Sequence, residues 1–432
     1  MDIKKKKSPL WMLVPVGAVI VVLSLILIVV TLKTGKKDGG TKDKLVEASA
    51  QTGEDLNQSG KGNAKDELKA LADKVPAIKF SDEISDILVS MSTEDKVAQL
   101  FFVRPESLTG VEGVTAAGET TRKALEEYPV GGIAYFAQNI QNPAQVKTML
   151  ANTQKYADEL SGIPVFLGVD EEGGETSRVA ENNNFKVERY DSMRAIGETG
   201  ESTQAFKAGE TIGSYLKELG FNVDFAPVGD VLTNPSNVVI GSRSFGEDPK
   251  LVGEMAGQVI KGLQNTGISS CLKHFPGHGG TNGDTHDGTT VLNESLKDME
   301  KQELLAFQTA IEEEPDFLMA AHISLPQILG DNTPCSLSRE ILTGLLRGKC
   351  GYDGIIITDA LEMGAVTKEY DSAQAAVKAI EAGADMLLMP EDFQSAYDGV
   401  LSAVKSGQIS YERLDQSVGR ILRVKTGKIP GN

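Results

Sequence analysis

Cysteine is scarce: the chain of 432 residues has three, Cys271, Cys335 and Cys350. The count is odd and no CxxC spacing occurs, which argues against a disulfide framework or a zinc ribbon. The three read as small buried thiols. Basic charge is also short, with 43 Lys and Arg against 61 Asp and Glu and a formal net charge of −18. So acidic a chain has little attraction for nucleic acid or anionic lipid headgroups, and both are set aside as binding partners. Tryptophan occurs once, at Trp11, and histidine four times, at His274, His278, His286 and His322. The rest is ordinary globular composition, 40% hydrophobic and 24% charged, with room for one large domain or two small ones.

The one long apolar run lies near the start. Residues 11–32 read WMLVPVGAVIVVLSLILIVVTL without a charge, enough to cross a hydrocarbon core of about 30 Å as a helix. Lys4, Lys5, Lys6 and Lys7 precede it, and Trp11 sits where an interfacial aromatic belongs. A cleaved signal peptide would have a shorter apolar core, roughly 7 to 15 residues, with a small-residue cleavage site just behind it. Here Thr31, Leu32, Lys33 and Thr34 follow, Ala48-Ser49-Ala50 lies too far downstream, and no cysteine marks a lipoprotein. The expectation is an uncleaved single-pass membrane anchor at 11–32 behind a cytoplasmic basic tail at 1–10. Four consecutive lysines are hard to translocate, so the remainder is expected outside the cell. Residues 33–80, rich in Lys, Gly, Asp, Ser, Asn and Gln, read as a flexible linker, with a short helix around Asp66 to Lys74.

From residue 81 short apolar runs alternate with amphipathic stretches. The runs are VAQLFFV (97–103), GGIAYF (131–136), IPVFLGVD (163–170), FNVDFAPV (221–228), ISSCLKHF (268–275), DFLMAAHI (316–323), GIIITDA (354–360) and ADMLLMP (384–390). This alternation implies parallel strands with crossover helices. About eight units fit an α/β (β/α)8 TIM-like barrel over 81–430; an open doubly wound sheet is the rival fold. A barrel would gather function at the C-terminal strand ends. Asp170, Asp224 with Asp230, Lys273-His274, His322 and Asp359 each close or follow an apolar run.

Three histidines fall within KHFPGHGGTNGDTH (273–286), a placement that suits proton transfer. Metal binding by His274, His278, His286 and Asp284 is disfavoured, because the segment is an irregular Gly-Pro loop without HExxH-like spacing. Asp284-Thr285-His286 reads better as a dyad: the carboxylate fixes the imidazole tautomer, and the other ring nitrogen exchanges a proton. Read alone, Asp359 before LEMGA also suits a helix N-cap, GVDEEGG suits a tight turn with capping acids, and Lys273-His274 suits a loop salt bridge.

These motifs resemble glycoside hydrolase family 3, in its β-N-acetylglucosaminidase branch. The likeness runs through GGIAYFAQNI (131–140), GVDEEGG (168–174), FNVDFAPVGDV (221–231), GSRSFGEDP (241–249), KHFPGHG (273–279), DTH (284–286), AHI (321–323) and GIIITDALEMGA (354–365). It implies a retaining glycosidase acting on terminal β-linked N-acetylglucosamine, with Asp359 as nucleophile, His286 as general acid/base and Asp284 orienting it. It further implies that Asp170, Arg178, Arg243, Lys273 and His274 hold the sugar, that His322 supports the site, and that no cofactor or metal is needed. The expected partner is a carbohydrate such as a peptidoglycan fragment. The expected state is a monomer held at a bacterial cell membrane.

A retaining glycosidase needs a nucleophile and a proton donor on opposite sides of the bond. A neutral histidine donor adds no negative charge, which leaves room for phosphate as acceptor and thus a phosphorylase. The same scaffold would also suit a β-glucosidase, or an inactive cell-surface relative that only binds sugar. The sequence departs from the family pattern at Glu175, where the family carries arginine, and at Thr290, near an expected proline. The expectation is a protein without the extra domain of the glucosidase branch, in keeping with the dyad-bearing branch.

Overall fold

Each of the eight apolar runs delivers a strand: β1 (Phe101–Val103), β2 (Gly132–Tyr135), β3 (Phe166–Val169), β4 (Val223–Asp224), β5 (Ser269–Phe275), β6 (Phe317–Ala320), β7 (Ile355–Thr358) and β8 (Leu387–Leu388) in a computed structural model. The structure describes residues 64–428. The strands pair in parallel in the order β8-β1-β2-β3-β4-β5-β6-β7. Backbone bonds from Met386 N to Ile356 O (3.0 Å) and from Thr358 N to Met386 O (3.1 Å) draw β7 against β8. The result is a nearly closed barrel rather than an open sheet. The first run is split: Thr93–Gln99 is helical, and the strand begins only at Phe101.

The helices following the strands in turn are α1 (Glu119–Glu127), α2 (Pro143–Ser161), α3 (Ser202–Leu219), α4 (Pro249–Asn265), α5 (Glu303–Ile311), the wide π-type α6 (Glu340–Lys349), α7 (Ser372–Ala382) and α8 (Phe393–Ser406). Their ends are written locally. In α2, Asn142 Oδ1 accepts from Gln145 N at 3.0 Å, Pro143 opens the first turn, and Gly162 ends it at φ 69°.

The barrel interior is filled by aromatic rings. Phe102 stacks on Phe166 (6.4 Å) and meets Phe225 edge-on (5.1 Å), and Phe166 meets Phe317 (5.0 Å). Gly132 and Gly168 make room: a Cβ there would lie 2.5 and 2.7 Å from the Phe102 ring. Burying each ring contributes roughly 1.5–3 kcal/mol. Beneath them Lys425 Nζ lies 4.9 Å from the Phe166 centroid and donates to Gln99 Oε1 at 2.7 Å. At the same N-terminal end of the strands, Asp385 is held by Arg347, Arg420 and the Ile356 N–H.

The linker expected at 33–80 needs correction at its end. Residues 64–72 form a helix whose Leu68 is fully buried. It packs so closely on α6 that a Cβ at Gly344 would meet Leu68 O at 2.2 Å. The Ile78 backbone exchanges bonds with the Gln416 side chain (2.7 and 2.9 Å). The folded body therefore starts before residue 81. The basic tail, the anchor at 11–32 and the earlier linker lie outside the described residues. Among the described residues, no helix is long and apolar enough to cross a membrane.

Candidate active site

A cavity of about 280 Å³ opens at the C-terminal ends of the strands, where a (β/α)8 barrel carries its chemistry. Asp170, Arg178, Arg243, Lys273, His274, His286 and Asp359 all line it. The segments after β3, β4, β5 and β7 thus bring these predicted residues together.

The floor is an ion-pair lattice. Lys273 Nζ donates to Asp170 Oδ1 (2.8 Å) and to Glu172 Oε1 (2.7 Å). Arg243 grips Glu172 with two bonds, Nε to Oε2 at 2.8 Å and a second to Oε1 at 2.7 Å. Such paired, charge-assisted bonds are strong and directional. Burial works against the Glu172 charge, but Arg243 and Lys273 outweigh it and hold the carboxyl well below its usual range. Likewise burial opposes the Lys273 charge, and Asp170 and Glu172 outweigh that. Arg178 reaches Asp170 Oδ2 at 3.5 Å and lies 5.8 Å from the Phe136 ring centroid.

Consecutive residues of a regular strand face opposite ways, yet Lys273 and His274 both line the cavity. The β5–β6 register slips by one residue between Leu272 and Phe275, the Lys273–His274 peptide within the slip is cis, and both side chains face the cavity. His274 Nδ1 bonds Asp230 Oδ2 at 2.7 Å, and Asp230 Oδ1 accepts the backbone N–H of His278 at 2.7 Å. Burial would raise the Asp230 pKa, but His274 and these donors hold it low.

Asp359 follows β7. Burial opposes its charge, and His274, the Ala360 N–H (2.8 Å) and Lys273 together keep its pKa below the usual carboxylate value. It does not cap a helix, since the next helix starts at Gly364 with Met363 as its cap. His322 is fully buried and does not line the cavity. Its Nε2 donates to Ala360 O (2.9 Å) and its Nδ1 bonds Ser336 Oγ (2.6 Å), and burial lowers its pKa. It is therefore a positioning residue for the backbone beside Asp359.

His286 stands on the loop after β5 with its side chain 72% exposed, its Nδ1 bonded to Asp284 Oδ1 at 2.8 Å. The same oxygen accepts the His286 backbone N–H at 2.9 Å. Slight burial works to raise the Asp284 pKa, and these bonds pull it below its usual value. The carboxylate thus makes Nδ1 the donor and leaves Nε2 for proton exchange. The loop is fastened to the chain beyond Asp359 by Ala365 N to Thr285 O (3.0 Å) and Gly364 N to His286 O (3.2 Å). Further on, Thr290–Val291 pairs with Ile323–Ser324.

Asp224 does not join the site. It is fully buried and accepts the Glu171 N–H at 2.9 Å; burial and then the Glu171 charge raise its pKa. Glu171 braces the loop through Val179 N, Ala180 N and Tyr215 Oη (2.7, 2.8 and 2.8 Å), so part of GVDEEGG is structural. Lys273-His274 belongs to the cavity wall rather than to a loop salt bridge. Sequence reasoning gave Glu172 no role, although it ties the lattice together; its place one residue from Glu171 and two from Asp170 was the available signal. His278, Phe136 and Met389 also line the cavity. Among the described residues, no group of three or more His, Cys, Asp or Glu side chains is placed to hold a metal ion.

Comparison with known proteins gives a consistent picture. The glycosyl hydrolase family 3 N-terminal domain matches residues 92–424. Beta-hexosaminidase A of Pseudoalteromonas piscicida is 34% identical over 332 residues, 71% of this chain, which spans 54% of that protein's length. Beta-hexosaminidase LpqI of Mycobacterium tuberculosis is 31% identical over 365 residues, covering 83% of this chain and 88% of that protein. Among solved structures, a family 3 beta-N-acetylglucosaminidase from Paenibacillus sp. superposes with a TM-score of 0.74 at 38% identity, covering 78% of this chain and 63% of that one.

Proposed function

The chain belongs to glycosyl hydrolase family 3, and we propose that it is a retaining exo-glycosidase removing terminal β-linked N-acetylglucosamine from glycans such as peptidoglycan fragments. The observation that carries the reading is one pocket lined by both the half-buried Asp359 and His286, whose ring is paired with Asp284. The names of the similar hexosaminidases support the acetamido sugar.

The chemistry follows from the groups present. The terminal sugar sits on the Asp170–Lys273–Glu172–Arg243 lattice, whose charged donors and acceptors are already oriented for its hydroxyls. An Asp359 oxygen bonds to the anomeric carbon while the glycosidic bond breaks, and His286 gives its proton to the leaving oxygen. Water then loses a proton to His286 and bonds to the anomeric carbon, releasing Asp359. Asp284 stabilises the imidazolium at the stages where it forms.

The test is hydrolysis by the full chain of an aryl β-N-acetylglucosaminide against the matching β-glucoside, with Asp359→Ala beside it. The expected result is preference for the N-acetyl sugar and a loss of at least about three orders of magnitude in the variant. Preference for the glucoside, or an active Asp359→Ala, would overturn the reading.

A further inference from the structure

On the glycosidase reading the terminal sugar fills the cavity over the ion-pair lattice and the leaving group lies towards its mouth. Inside, formal charge balances: Arg178, Arg243 and Lys273 face Asp170, Glu172 and Asp359. Each of those cations is in an ion pair. The mouth is different. Glu175 is exposed, next to the lining residue Thr176, and its Oε1 accepts from Ser242 Oγ at 3.1 Å beside the lining residue Arg243. That bond joins the loop after β3 to the loop after β4. The partner is a hydroxyl, and Glu175 takes part in no ion pair among the described residues. Around His286, Asp284 pairs with the imidazole, Arg104 pairs with Glu362, and Lys368 bonds the Asp287 carbonyl on the β5 loop.

We propose that Glu175 sets the charge selectivity of the leaving-group side. It favours neutral and cationic aglycones, amino sugars with a free ammonium among them, and slows without excluding aglycones bearing a carboxylate or phosphate, the muramyl side of a peptidoglycan fragment included. The same field disfavours inorganic phosphate as acceptor relative to water: an imidazole does not repel an anion, whereas the Glu175 carboxylate beside the lining residues does. The inference rests on the glycosidase reading. A carboxylate in a solvated rim acts through a high dielectric, so one charge on the aglycone changes kcat/KM by about three- to tenfold. The effect shrinks as salt shortens the screening length below about 10 Å.

The experiment compares, on the full chain, three aryl β-N-acetylglucosaminides of matched leaving-group acidity whose phenols carry a carboxylate, a carboxamide or a trimethylammonium group. The wild type should favour the cationic over the anionic substrate, with the ratio falling towards one between 20 mM and 500 mM salt. Glu175→Gln should shrink the ratio and Glu175→Arg should invert it. With phosphate added, the wild type should form free sugar and no sugar 1-phosphate. A ratio near one at low salt, a ratio unmoved by either substitution, or sugar 1-phosphate as main product would overturn the proposal. Failure to cleave even the carboxamide substrate would instead count against the glycosidase reading beneath it.

Discussion

Glu303, the first residue of α5, has no exposed surface, and its Oε1 accepts from Thr233 Oγ1 at 3.3 Å. One buried oxygen each of Glu303 and Glu294 has no hydrogen-bond partner. Burial first, and the adjacent Glu294 carboxylate second, push Glu303 from the ordinary 4.5 up to about 7. The site matters because Gly277, at the base of the loop carrying His286, passes so close that a Cβ there would lie 2.3 Å from Glu303 Cγ. An acid with a raised folded value contributes stability that is complete below 4.5 and lost as pH rises through about 7. Between pH 5 and pH 8 the loss is roughly 2–3 kcal/mol, at about 1.4 kcal/mol per pH unit. Glu303→Gln keeps the shape and removes the titration. With about 2 cal/mol/K of unfolding entropy per residue, that energy corresponds to roughly 3 °C. In calorimetric melts at pH 5, 6, 7 and 8, the variant's Tm should gain about that much on the wild type across the range. Melting curves that stay parallel, or a gain towards acid, would refute the argument.

Asp284→Asn should lower kcat roughly 10²–10³-fold on substrates with poor leaving groups, and much less on a 2,4-dinitrophenyl glycoside, whose oxygen needs no proton; equal losses on both would sink the acid/base assignment. Gly364→Ala would place a Cβ 2.6 Å from His286 O, so it should displace the loop, cutting kcat about tenfold or more while leaving product inhibition by N-acetylglucosamine nearly unchanged. Weakened inhibition at full kcat would contradict it.

The barrel was legible because each strand lies in a short apolar run, five of them closed or followed by a polar residue. Misreadings came where periodicity is ambiguous. Val97 to Leu100 are all buried, Gln99 included, so the end of a helix and the start of a strand present one mostly apolar segment. The short helix expected around Asp66 to Lys74 forms over 64–72, but it buries little beyond Leu68 and Ala72, too faint a stripe to reveal that it docks on the barrel. Asp224 closes a run like the site residues, but Phe225 points in at Phe102, so alternation turns Asp224 outward towards Glu171. The converse case is Lys273-His274: strict alternation would have sent one of the pair out of the cavity, and the register slip at the pair has no sequence signature. Glu172 was hidden among three consecutive acids whose separate fates depend on which backbone each faces.

The two groups proposed to carry the reaction sit in opposite environments. Asp359 is half-buried and kept ionised by neighbours that outweigh desolvation, whereas His286 is largely exposed, on the side where the leaving group departs and water arrives. A nucleophile must not be protonated at rest, and an acid/base must change its proton in each half-cycle, so this division suits both tasks. Their separation is fixed by a short scaffold. Asp359 opens the segment that reaches Gly364 and Ala365, whose N–H groups donate directly to the carbonyls of His286 and Thr285. His322 grips the same segment at Ala360 O from behind. Backbone bonds are less adjustable than side-chain contacts. The distance between attack and proton donation is therefore held by residues 359–365 rather than by the His286 loop itself, whose Gly-rich sequence could not hold it alone.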